Sequence, residues 1–119
     1  IVDIDYNNLP DFAKSVINSL QICLESDIQP NSEIIAAELG MSYQTLRRKL
    51  GMEYLTYQNL KDFARYRLVL DLINSGERNF EKLSSRAAFT DVSTFHRAFK
   101  VWTGMTIGRF IRYKVEFHE

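Results

Sequence analysis

The stretch Asn79–Trp102 reads N-F-E-K-L-S-S-R-A-A-F-T-D-V-S-T-F-H-R-A-F-K-V-W. Asn79 is suited to cap a helix whose apolar face carries Phe80, Leu83 and Ala87, because its side-chain oxygen accepts from the open N–H groups of a first turn. Phe89 and Thr90 break that pattern, and Asp91 is suited to cap a second helix. There Val92, Phe95, Ala98, Phe99 and Trp102 recur at steps of three and four, so they share one stripe. Ser93, Thr94, His96, Arg97 and Lys100 are expected on the opposite face. Two short helices around a tight turn, the second apolar behind and basic in front, have the sequence form of a helix-turn-helix. The second helix of such a pair can lie in the major groove of DNA.

Upstream the same layout recurs. Pro30-Asn31-Ser32 stops the chain and offers caps for a helix with Ile34, Ile35, Ala36 and Leu39 on its apolar face. Gly40 is placed to end it in the left-handed conformation. Ser42 caps the next helix, Tyr43 to about Leu50, with Leu46 and Leu50 inward. Gln44, Thr45, Arg47, Arg48 and Lys49 face mostly outward. Only the layout repeats, since the turn residues differ. Between the two units, after a connector at residues 51–55, Thr56 caps the longest helix, Tyr57 to about Asn74, which closes at Ser75-Gly76. Its expected buried stripe is Leu60, Phe63, Ala64, Leu68, Leu72 and Ile73. Eighteen residues span about 27 Å, and paired units reading one face of a duplex stand about 34 Å apart. A stiff helix of this length can therefore hold two recognition helices over successive grooves. Arg65 and Arg67 lie on it, with a structural role as good a reading as DNA contact.

The ends complete the picture. Residues 1–8 read as a polar lead-in. A helix follows Pro10 to about Ser26, burying Ala13, Val16, Ile17, Leu20, Cys23 and Leu24. Thr103-Gly104 ends the helix that closes on Trp102, and Thr106 caps a last one through Ile107, Phe110, Ile111 and Tyr113. Arg109, Arg112 and Lys114 make one side of it basic. The tail Glu116–Glu119 is expected to fray, with His118 incidental.

A chain of 119 residues with 45% hydrophobic content is long enough for an ordinary core. No apolar run approaches the roughly 20 residues that span a bilayer, and no secretory signal is visible. The single Cys23 cannot form an internal disulfide; a buried thiol in a reducing cytosol fits it. The chain opens on Ile1, which suggests a fragment of a longer protein. The formal net charge is zero, which by itself argues against a nucleic-acid binder. The distribution argues for one. Residues 1–30 hold Asp3, Asp5, Asp11, Glu25 and Asp27 against Lys14, a net of −4, so residues 31–119 carry +4. Local asymmetry steers binding more than the total does. No metal cluster, nucleophile–base pair or cofactor loop appears, so neither an enzyme nor a cofactor is expected. No second His or Cys stands near His96 to share a metal. The rival reading is a helical protein-interaction module whose basic faces bind an acidic partner.

The segment Leu83–Gly104 closely resembles the signature of the AraC/XylS family of bacterial transcription regulators. Phe89, Asp91, Ser93, Phe95, Arg97, Phe99, Lys100 and Gly104 match it. Upstream, Met41-Ser42, Leu46, Arg48 and Leu50 resemble the family's first recognition helix, and Arg67-Leu68 its linker-helix motif. The chain departs from the pattern at Leu83-Ser84, Ile107 and Ile111. It also departs at Ala88, which stands where the family places a turn glycine and must therefore avoid the left-handed region or carry strain.

The resemblance implies an all-α fold of about seven helices. It is one DNA-binding domain, divided into a first helix-turn-helix unit at 9–52, a linker helix at 56–75 and a second unit at 79–114. It implies a cytoplasmic, sequence-specific regulator of transcription that binds a double-stranded DNA operator, with a separate sensing domain outside this chain. Base readers would fall at Gln44, Arg47 and Arg48, and at Ser93, His96 and Arg97, with Val92 and Thr94 beside them. Lys49 and Lys100 would meet phosphate, the helix N-termini at Ser42 and Asp91 would approach the backbone, and Thr45 is a further candidate for DNA contact. RNA polymerase is a further candidate partner. The isolated domain is expected to be monomeric and the parent protein dimeric.

Overall fold

The computed structural model describes the backbone of residues 4–117 and the side chains of residues 4–114. Helices α1 (Asp11–Glu25), α2 (Ser32–Glu38) and α3 (Tyr43–Met52) precede the long α4 (Tyr57–Asn74). Helices α5 (Phe80–Arg86), α6 (Val92–Thr103) and α7 (Ile107–Phe117) follow it. Among the described residues there is no strand, and the fold is two helix-turn-helix units joined by α4. Of the tail Glu116–Glu119 expected to fray, Glu116 and Phe117 are part of α7, and residues 118–119, with His118, lie outside the described residues.

Capping chemistry explains most of these starts. The side chains of Asn31, Ser42, Thr56, Asn79 and Asp91 each accept a backbone N–H from the first turn that follows, and Thr106 Oγ1 accepts from Arg109 at 3.2 Å. Each satisfies a donor that the helix cannot satisfy itself. The helix ends also share one device. At the end of α2 the N–H of Met41 reaches the Ala36 carbonyl and that of Gly40 the Ala37 carbonyl, both at 3.0 Å. At the end of α5 the N–H of Phe89 reaches Ser84 and that of Ala88 reaches Ser85, again at 3.0 Å. Both are Schellman closures, which need a left-handed residue at their hinge. Gly40 supplies it at φ 75°, and Ala88 supplies it at φ 64°.

Ala88 thus carries the strain. A left-handed residue with a Cβ costs about 1–2 kcal/mol, and glycine returns part of that through its greater freedom when unfolded. Ala88→Gly is expected to stabilise the fold by about 1 kcal/mol, read as a rise of a few degrees in thermal midpoint. A fall in the midpoint would mean that the methyl group packs well enough to outweigh the backbone.

Two hydrophobic cores flank α4. The first gathers α1, α2, α3 and the first half of α4, including Val16, Ile17, Leu20, Ile35, Leu46, Leu50, Leu60 and Phe63. The second gathers Val69 and Ile73 with Leu83, Phe95, Phe99, Trp102, Ile107 and Phe110. The second core is aromatic: the Phe99 ring meets Phe110 at 5.1 Å and Phe95 at 6.0 Å in edge-on contacts. Cys23 is buried, as expected, and desolvation raises its thiol pKa.

Several expectations need correction. Leu68 and Leu72 are only half-buried, whereas Val69 and Asp62 are buried. A helix with a core on each side has no single stripe, so a one-face reading of α4 misplaces residues at the crossover. Asp62 accepts from Gln58 Nε2 at 2.9 Å, and desolvation nevertheless raises its carboxyl pKa. Helix α3 continues through Gly51 and Met52, and the turn is made at Tyr54, left-handed at φ 58° and 98% exposed. Residues 4–9 are more than a polar lead-in. Tyr6 stacks on Phe63 at 6.4 Å, its hydroxyl donates to Asn18 at 3.1 Å, and Ile4 and Leu9 pack on the first core.

Candidate nucleic-acid interface

Helices α3 and α6 are each the second member of a helix-turn-helix pair, and each presents one apolar and one polar face. On α3, Leu46 and Leu50 are buried while Gln44, Arg47, Arg48 and Lys49 are exposed. On α6, Phe95, Phe99 and Trp102 are buried while Ser93, Arg97 and Lys100 are exposed. Arg48 and Arg97 therefore stand in solvent, as a surface that meets a duplex requires. Val92, Thr94 and Thr45 are half-buried at the edges of these faces.

Local bonds organise both N-termini. Ser42 Oγ accepts the Thr45 N–H at 3.2 Å and donates to the Thr45 hydroxyl at 3.1 Å, so the Thr45 side chain is engaged in the cap. Asp91 accepts the Thr94 N–H at 2.7 Å. That bond, then the Thr94 hydroxyl, holds the Asp91 carboxyl below the ordinary carboxylate range. Arg97 Nη2 donates to Thr94 Oγ1 at 3.3 Å, which aligns the guanidinium along the exposed face of α6. Lys49 is less free: its ammonium lies 5.2 Å from the Phe12 ring centroid, drawn back toward α1.

His96 departs from the expected outward face. Its ring is half-buried, edge-on to Phe80 at 5.2 Å and to Phe95 at 5.8 Å. Its Nε2 is shielded from solvent and has no hydrogen-bond partner. At the edge of the apolar stripe, next to Phe95, the residue is taken into the contact between α5 and α6. A reading by helical steps could not anticipate this, because it depends on where Phe80 sits.

Arg47 borders an open cleft of about 720 Å³ between α3 and the start of α4, shared with Asn31, Tyr43, Thr56, Gln58 and Lys61. Desolvation is the main cause lowering the Lys61 pKa. Nothing in the sequence attaches Lys61 to the first unit; it lies one turn past Tyr57, whose hydroxyl donates to the Pro30 carbonyl at 2.6 Å and closes α4 onto the loop before α2. The two arginines of α4 face inward. Arg67 lies over the Tyr6 and Phe63 rings at 4.8 and 5.3 Å. Arg65 donates to the carbonyls of Ala87 at 3.0 Å and Ala88 at 2.8 Å. Among the described residues no group of His, Cys, Asp and Glu is arranged to hold a metal ion, and no helix is long and apolar enough to cross a membrane.

The likeness to known proteins follows the same architecture. The family described as "Helix-turn-helix domain" matches residues 35–113. An uncharacterised HTH-type transcriptional regulator of Mycobacterium tuberculosis is 34% identical over 88 residues, covering 74% of this chain and 26% of the relative. The ornithine utilization regulator of Pseudomonas aeruginosa is 37% identical over 75 residues, covering 63% of this chain and 22% of the relative. The chain thus spans about a quarter of the length of the curated relatives it matches. Among solved structures, the transcriptional regulator CdpR from Pseudomonas aeruginosa superposes with a TM-score of 0.76 at 25% identity, over 85% of this chain and 31% of that one. A DNA-binding transcriptional dual regulator from Escherichia coli K-12 gives 0.81 at 23% identity, over 92% of this chain and 96% of that one, a likeness of fold. With paired recognition helices, the long connecting helix and these relatives in agreement, this chain belongs to the helix-turn-helix DNA-binding domains of AraC/XylS-type transcription regulators.

Proposed function

We propose that this domain reads a double-stranded operator by inserting α3 and α6 into successive major grooves on one side of the duplex. The observation that carries the reading is that both helices are built alike. Each follows a Schellman turn and a side-chain cap, buries its back and exposes cations in front. The molecule's longest dimension of 43 Å accommodates two grooves about 34 Å apart. The division proposed is a first unit at 9–52, a linker at 56–75 and a second unit at 79–114.

In this reading Gln44 pairs with adenine, and Arg48 and Arg97 each pair with guanine, through two hydrogen bonds apiece. Ser93 and Thr94 contact bases or backbone beside Arg97, and Val92 offers an apolar contact. Lys49 and Lys100 bind phosphate without reading sequence. Arg47 shares its cleft with Lys61, so a backbone phosphate fits there better than a base edge. His96 acts through packing, holding α6 against Phe80. The domain acts by binding and not by catalysis, in the cytoplasm where operators are. It is monomeric alone and a dimer in the parent protein, with RNA polymerase as a second partner. A partner protein of acidic character is the weaker reading, since it gives no reason for two such helices in tandem.

Selection of bound duplexes from a random pool, followed by mobility-shift titration at several salt concentrations, tests this directly. Arg97→Ala is expected to weaken binding to the selected site by about 1–3 kcal/mol and to relax preference at one base pair. Lys14→Ala, on α1, serves as the control. Equal losses for both variants, or no duplex enriched at all, would reject the reading.

A further inference from the structure

The middle of α4 holds a three-point attachment to the second turn. Arg65 is the ninth of the eighteen residues of α4. Its Nε donates to the Ala87 carbonyl at 3.0 Å and its Nη2 to the Ala88 carbonyl at 2.8 Å. Its guanidinium carbon lies 4.0 Å from the centroid of the Phe89 ring. Three consecutive residues of the α5–α6 turn are therefore gripped by one side chain. The Schellman closure explains why acceptors stand there: it uses the carbonyls of Ser84 and Ser85, and leaves those of Ala87 and Ala88 without helical donors. A planar fork with fixed donors meets two carbonyls in one orientation only, which a flexible ammonium cannot do.

The place of this attachment matters more than its strength. The gripped turn lies at the junction of the two cores, with Ala88 packed against the first and Phe89 against the second. Ala88 is also the strained left-handed hinge of the turn that launches α6. Arg65 thus joins the linker helix to the exact point from which the second recognition helix departs. We propose that Arg65 is a positioning residue that fixes the angle of α6 relative to α3, and so sets the half-site spacing the domain accepts. The proposal rests on the two-groove reading above.

The expected behaviour separates positioning from stability. In Arg65→Met, affinity for the two-half-site operator falls about tenfold to a hundredfold, because the second contact loses part of its effective concentration. Affinity for either half-site alone stays within about twofold, since neither face of α3 or α6 is touched. Discrimination against operators lengthened or shortened by one base pair weakens. Arg65→Lys keeps the charge and loses the fork, and is expected to fall between wild type and Arg65→Met; it also serves where the methionine variant folds poorly. A second measurement needs no DNA: spin labels at Gln44→Cys and Lys100→Cys, one on each recognition helix, should give a narrow distance distribution that broadens on loss of the fork while helicity persists. An unchanged distribution together with an unchanged spacing profile would overturn the proposal. So would equal losses on full and half sites. If the wild-type domain binds no duplex selectively, the two-groove reading fails instead, and a broadened distance distribution would still show the fork orienting α6.

Discussion

Inserting two residues between Leu68 and Val69 is expected to abolish high-affinity operator binding while leaving each half-site affinity nearly intact. The insertion point is chosen from the cores. Apolar residues of α4 up to Leu68 pack on the first and those from Val69 onward on the second, with Tyr66, which packs on the second beside Phe99 and Trp102, as the exception. Each core thus keeps its own side chains, except that the second loses Tyr66. What changes is the relation between the two: about 200° of rotation and about 3 Å of translation along α4. The Arg65 fork then points away from Ala87 and Ala88, and α6 leaves the side of the molecule that α3 faces. Losing simultaneous engagement of two linked modules costs a factor of about 10²–10⁴, which a mobility-shift titration reads easily. Far-UV circular dichroism should show helical content retained, with a lower thermal midpoint because the junction contacts are gone. Undiminished affinity for the full operator would mean that the two helices do not act as one rigid pair.

Phe99→Ala is the substitution with the largest expected effect on stability. Phe99 is fully buried and its ring meets those of Tyr66, Phe95, Trp102 and Phe110 at 6.4, 6.0, 6.2 and 5.1 Å. Removing a buried phenyl group costs about 3–5 kcal/mol, the spread reflecting how far the cavity collapses. Domains of this size have about 5–15 kcal/mol in total, so the second unit is left marginal. The loss should not spread evenly. The first core holds Val16, Ile17, Leu20, Leu46 and Leu50 away from the aromatic cluster. Hydrogen exchange should therefore show α5, α6 and α7 deprotected first, with α1 and α3 still protected. A single transition with uniform loss of protection would mean that α4 couples the cores into one cooperative unit, and that two units exist only in topology.

Most of the helical layout was legible because local chemistry decides where helices begin. Residue type and the periodicity that follows mark Asn79, Asp91, Ser42, Thr56 and Thr106 as caps. All five accept a first-turn N–H. The buried faces of α1, α3 and α6 were equally legible, since each meets a core on one side only. The reading failed where that premise failed. On α4 two cores compete for one helix, so Val69 replaced Leu68 among the buried residues. On α6 the apolar stripe was right, yet His96 went to Phe80 and not to solvent. The end of α3 ran past Gly51 because its closure falls on Tyr54, a residue type with no left-handed preference.

From its residues alone the chain determined the seven α-helices of its described residues, two helix-turn-helix layouts and a basic face on each second helix, because caps, periodicity and breakers act within a few residues of themselves. Tertiary structure alone decided which cations face out and which hold the molecule together. Arg97 and Arg65 are the same residue type, each on a helix. One points into solvent, and the other grips Ala87, Ala88 and Phe89 more than twenty positions away along the chain. Spacing along a helix cannot tell them apart, because the acceptors that claim Arg65 are created only when α5 closes beside α4.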